Sequence, residues 1–193
     1  MKKIIIFDVD GVITDSGTRK DEIIEEVLEK HWLLKLSWVR EILDKWLNRI
    51  LILQEINSIK KINQELILRD INNSLIQLES SIVLIQDTID FIEKNFTRYS
   101  FFTNTSMPKS KLKRIFWEMD IWKYFLELLA YDDGSKKENI EYVMQVHDAK
   151  PEDVLFVDDK QTHIDAVKDT GVHILLFKQD GVSLQEKINS IFI

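Results

Sequence analysis

Asp8 and Asp10 stand two residues apart behind the apolar run Ile4–Phe7, and Gly11 follows at once. In an extended segment, residues two apart project to the same side. One carboxylate of such a pair can attack phosphorus while the other handles a proton. Gly11 lets the backbone turn sharply and approach a bound group closely. Asp and Gly also favour ordinary solvated turns, so this tetrapeptide alone fits both readings. A second acidic pair, Asp158-Asp159, ends another apolar run, Val154–Val157. Brought together, these carboxylates would repel one another unless protons or a cation neutralised them, and hard oxygen ligands select Mg²⁺. Lys136, behind Gly134-Ser135, offers a cation that would stabilise an anionic nucleophile and a phosphoryl group. Its neighbour Lys137 could serve instead. Thr103-Asn104 offers a hydroxyl and backbone N–H groups to phosphate oxygens. Taken singly, the lysine also fits a solvated helix start and the threonine a strand-end turn.

Only a fold could gather residues spread between positions 8 and 159. A continuous apolar run at Ile4–Phe7 and further short, mostly apolar runs at Tyr99–Phe102, Leu126–Tyr131, Val154–Val157 and Val172–Phe177 predict buried parallel strands. Helical patterns over 86–95, 108–119, 136–147, 162–170 and 183–191 alternate with them. Ser106 would cap the second of these helices, with Pro108 in its first turn. The alternation predicts an α/β fold with a doubly wound parallel sheet. The carboxyl ends of such strands share one edge, where ligands bind. Asp8, Asp10, Thr103, Lys136, Asp158 and Asp159 would therefore converge there.

Between Gly17 and Pro108 there is no glycine or proline, and the stretch is rich in Leu, Ile, Glu, Lys and Gln. Residues 16–80 thus read as several packed helices inserted after the first strand, leaving 1–15 and 81–193 as the core. Trp32, Trp38 and Trp46 are expected in the interior of that insertion.

With 26 basic and 33 acidic residues among 193, the net charge is −7, and no long basic run is present. That argues against a nucleic-acid polymer as partner and is compatible with a small phosphorylated metabolite. Without cysteine, a disulfide, a thiolate metal site and a cysteine nucleophile are all excluded. The apolar start is cut short by Asp8 and Asp10, and charges interrupt the most apolar later region. The expectation is a cytoplasmic protein without a membrane span, monomeric or homodimeric.

In this order, four segments resemble the motifs of the haloacid dehalogenase (HAD) superfamily, phosphatase branch. They are Phe7-Asp8-Val9-Asp10-Gly11-Val12 with Thr14-Asp15-Ser16, Phe102-Thr103-Asn104-Thr105, Gly134-Ser135-Lys136, and Val154-Leu155-Phe156-Val157-Asp158-Asp159. The resemblance covers roughly residues 1–16 and 81–180. It implies a Rossmann-like core with a small helical (C1-type) cap that shields the site and selects the substrate. It implies that Asp8 forms an aspartyl-phosphate, and that Asp10 protonates the leaving group and then activates water. Thr103, with Asn104, would bind the phosphoryl group, and Lys136 would steady it. Mg²⁺ would be held by Asp8, the Asp10 carbonyl and Asp159, with Asp158 as a further candidate. Many relatives have glycine where this chain has Asp158 and a carboxylate where it has His163. His163 is expected to face solvent or pack locally rather than bind metal. The acid at Asp10, which the family's true dehalogenases lack, favours phosphoryl over carbon–halogen chemistry. A sugar-phosphate mutase and a non-catalytic phosphate-binding protein are the alternatives to a phosphomonoester phosphatase.

Overall fold

A computed structural model of the chain describes residues 2–45, 49–79 and 82–192. Two compact units result: Met1–Asp15 with Leu84–Ile193, and Ser16–Val83. The boundary expected at 80 and 81 falls outside the described residues. Nearby, the apolar run does not extend a helix. Leu84 pairs with Thr14, and Ile85 donates its N–H to Ile13 O at 2.9 Å.

The larger unit is built on five parallel strands: β1 (Ile4–Phe7), β2 (Ser100–Asn104), β3 (Phe125–Leu129), β4 (Val154–Asp158) and β5 (His173–Leu176). Their spatial order is β3-β2-β1-β4-β5. The chain leaves β1 for one side of the sheet and crosses to the other for β4, so β1 and β4 flank the point where the winding reverses. Ligands bind at such a switch point. Phe7 is in register with Thr103 on one side and Val157 on the other. The residues just beyond that row are therefore Asp8, Asn104 and Asp158.

In the smaller unit, α1 (Gly17–Lys30), α2 (Ser37–Lys45), α3 (Arg49–Ile59) and α4 (Gln64–Glu79) bury an aliphatic cluster that includes Leu28, Val39, Ile56 and Ile71. The predicted interior tryptophans fare differently. Trp38 packs against this cluster, Trp46 lies outside the described residues, and Trp32 is 67% exposed. Trp32 follows the end of α1 with φ of 62°, which turns its ring outward beneath the Lys35 ammonium, 3.9 Å from the ring centre.

Around the sheet lie α5 (Gln86–Asn95), α6 (Lys109–Glu118), α7 (Lys136–Val146), α8 (Gln161–Val167) and α9 (Leu184–Ile191). On one face Ile6, Phe102 and Phe156 pack with Ile140 and Val143 of α7 and Ile164 and Val167 of α8. On the other, Phe7, Phe91, Phe101 and Phe125 form an aromatic cluster with ring centres 5.6–6.5 Å apart. Because both faces are covered, β1 and β4 read as uninterrupted apolar runs. Ser135 and Glu138 start α7 with a capping box. The expected Ser106 cap of α6 is not formed. Pro108 is itself the N-cap residue, and the Lys109 N–H donates to Asp132 Oδ2 at 2.5 Å. Among the described residues no helix is long and apolar enough to cross a membrane.

Phe102 is fully buried in the central strand pair. Phe102→Ala should cost about 3–5 kcal/mol, read as a lowered urea midpoint. An unchanged midpoint would contradict the packing described.

Candidate active site

The site grows from three strand ends and one helix start. Asp8 donates its N–H to Val157 O at 2.8 Å, which carries the ladder one residue past β1 and places the carboxylate at the sheet edge. Asp158 ends β4 and is fully buried. Lys136 opens α7 and points back at both. Its Nζ donates to Asp8 Oδ1 at 2.8 Å and to Asn104 O at 2.7 Å, and lies 2.9 Å from Asp158 Oδ2. Those acceptors use all three protons of an ammonium. Of the two adjacent lysines, Lys136 is thus the one the fold inserts.

Burial disfavours the ammonium, but Asp8 and Asp158 outweigh it and hold the Lys136 pKa above its ordinary value. Two carboxylates share this single cation, so the triad carries a net negative charge. Burial therefore pushes the Asp8 carboxyl up despite Lys136, with Asp158 and Asp10 adding to the effect. Asp158 is better served. Burial opposes its charge, yet His163 and Lys136 hold its pKa below the usual range. Its Oδ1 accepts from Lys160 N at 2.9 Å, and both its oxygens lie 3.1 Å from His163 Nδ1. An ionised carboxylate only accepts, so Nδ1 of His163 carries the proton. His163 packs locally, against the charge that anchors the lysine.

Asp159 contrasts with Asp158. Its Oδ1 is buried without a hydrogen-bond partner. Burial, followed by the Asp8 charge, pushes its pKa up to about 6. Gly11 presses on the same side chain: a Cβ there would lie 2.2 Å from Asp159 Oδ2, and φ of +84° already favours glycine. Asp8, Asp158 and His163 also place ligand atoms within 4.8 Å of one another. There, however, the Lys136 ammonium already lies against both carboxylates. An orphaned carboxylate oxygen beside the negative Asp8 fits a hard cation better than that filled position does.

Asp10 is half-buried in the turn that follows, where the N–H groups of Val12, Ile13 and Thr14 converge on Val9 O. Thr103 reaches the edge, but its hydroxyl is buried and donates to Leu129 O at 3.0 Å. The Asn104 amide is engaged at both ends: Nδ2 donates to Lys136 O at 2.8 Å, and Oδ1 accepts from Asn139 Nδ2 at 3.0 Å. Asn139 belongs to none of the sequence motifs. Its one signal is a polar residue in register with Ile140 and Val143 on the buried face of α7.

The profile of the haloacid dehalogenase-like hydrolases matches residues 5–177. The chain belongs to that family. No curated protein matches the sequence. Among solved structures, a HAD-superfamily hydrolase, subfamily IA, variant 1, from Geobacter sulfurreducens superposes with a TM-score of 0.70 at 16% identity, covering 100% of this chain and 97% of its own. A protein described as a predicted phosphoglycolate phosphatase from Haemophilus somnus gives 0.67 at 18% identity, covering 90% and 84%. CbbY from Rhodobacter sphaeroides, in complex with phosphate, gives 0.62 at 17% identity, covering 90% and 85%. These likenesses bear on the α/β fold, while the profile match confirms the motif resemblance at the level of family.

The buried Asp159 charge should cost stability when no divalent cation is bound. Its folded pKa lies above the unfolded value, so its favourable contribution is complete below about pH 4 and is lost as pH rises through about 6. With chelator at pH 8, Asp159→Asn should melt a few degrees above wild type, and the gap should shrink as pH falls below about 6. Equal melting temperatures at pH 8 would show that the charge is already compensated.

Proposed function

We propose that this HAD hydrolase is a Mg²⁺-dependent phosphatase of small phosphomonoesters, working through an aspartyl-phosphate on Asp8. The observation that carries the reading is the Lys136 ammonium 2.8 Å from Asp8 Oδ1, beside an Asp159 oxygen that has no partner. Lys136 opposes the burial that disfavours the Asp8 carboxylate, and leaves Oδ2 to attack phosphorus. The phosphorus–ester oxygen bond breaks, and Asp10 gives its proton to the departing alkoxide. Asp10 then takes a proton from water, which attacks the acyl phosphate and returns Asp8 and inorganic phosphate. Mg²⁺, bound by Asp8, Asp159 and the Asp10 carbonyl, would supply charge neutralisation for the phosphate oxygens. Asp158, whose oxygens are all engaged, serves the lysine in this reading rather than the metal. Thr103 would donate to a phosphoryl oxygen after its hydroxyl turns away from Leu129 O. The helical unit Ser16–Val83 takes the role of the family's cap. The relatives described as a phosphoglycolate phosphatase and as binding phosphate support a phosphate ester as the substrate class.

Release of inorganic phosphate from a panel of small esters, with Mg²⁺ and with chelator, tests this. Turnover should require Mg²⁺, and Asp8→Asn should lose about 10³-fold or more. If folded wild-type protein with Mg²⁺ releases phosphate from none of them, the proposal fails. Isomerisation of a hexose phosphate without net release would identify a mutase instead.

A further inference from the structure

One buried polar cluster takes no part in the chemistry above. Asn139 lies on α7 one turn after Lys136 and is 3% exposed, while Asn104 at the end of β2 is fully buried. Uncharged amides in an apolar interior are costly unless bonded, and these two are bonded to each other. Asn104 Nδ2 donates to Lys136 O, and Lys136 Nζ donates back to Asn104 O. The side chain of each residue thus grips the backbone of the other. Asn139 Nδ2 donates to Asn104 Oδ1 at 3.0 Å and lies 3.4 Å from both Ala130 O and Gly134 O. These carbonyls only accept, so the orientation of both amides is dictated by their surroundings.

The arrangement ties together the end of β2, the residue just after β3, and the loop that enters α7. The capping box of Ser135 and Glu138 closes the helix start upon itself and gives it no register against the sheet. A lysine has a long, flexible stem, and its ammonium here must meet Asp8 and Asp158 at once. Aliphatic side chains at 104 and 139 would fill the same space without fixing where the helix start lies along β2. Directional bonds fix it.

We propose that Asn139, acting through Asn104, is a positioning residue that sets the Lys136 ammonium against Asp8. Its kinetic consequence rests on the phosphatase reading; its structural consequence does not. Two measurements on the full chain separate them. Brief acetylation with acetic anhydride, followed by peptide mass spectrometry, reports Lys136 and Lys137 individually. In wild type Lys136 should acetylate far more slowly than Lys137. Asn139→Leu should raise the Lys136 rate about tenfold and leave Lys137 and the remaining lysines unchanged. With an ester that wild type turns over, the same variant should lose about 10- to 100-fold in kcat with KM within about twofold, as expected of a displaced charge. Made on top of Asn104→Leu, the Asn139 change should cost little more, because Asn139 acts on Lys136 through Asn104. Should Asn139→Leu fail to fold, Asn139→Ser, which keeps one donor, takes its place and should show smaller changes in the same direction. Unchanged protection of Lys136, an unchanged kcat, or additive losses would overturn the proposal. If wild type turns over no ester, the phosphatase reading falls, while acetylation of Lys136 still decides the positioning role.

Discussion

An ammonium held between two buried carboxylates is the interaction on which the rest of this molecule turns. Lys136 meets Asp8 and Asp158 where the side chains of all three are almost wholly removed from water. Burying such charges is expensive, and removing any one of them would leave the others uncompensated. The arrangement still ends with more negative than positive charge. Burial lifts Asp8 even with Lys136 in contact, and Asp159, with no hydrogen-bonded partner for one oxygen, is lifted as well. That residual negative charge is what the proposed divalent cation would offset.

Such a constraint needs a stiff frame, and the parallel sheet supplies it. Three adjacent strand ends in register put Asn104, Asp8 and Asp158 in one row. Aliphatic packing from α7 and α8 on one face, and aromatic rings on the other, leave those strands little freedom to slide. α7 then does two things at once. Its apolar residues complete the core, and its first residue reaches over the row. Gly11 completes the frame by giving the Asp159 carboxylate room that any side chain would take.

Much of this is legible in the order of the amino acids. β1, β2 and β4 show as runs with little polar interruption because both faces are covered, and acidic or hydroxyl residues mark the strand ends. Gly11 marks the turn. The helical insertion shows because glycine and proline are missing from a long stretch. Local signals fail where a local alternative competes. Ser106 looks like a cap, but Pro108 and Asp132 take over the start of α6. Trp32 looks like core, but the chain turns at the end of α1 and leaves it outside.

By itself the sequence determined the fold class, the family and a set of candidates for the sheet edge, because hydrophobic periodicity and motif spacing are properties of neighbours along the chain. It left open which lysine enters the cluster and which member of Asp158-Asp159 is left over. It named no partner for Asn104, and it did not show that His163 steadies Asp158. The tertiary structure decided these, since each depends on which side chains meet across strands and helices distant in sequence. Asp158 and Asp159 are adjacent and chemically identical, yet one is bonded on both oxygens and the other is not. Only the direction in which the strand end points each of them makes the difference.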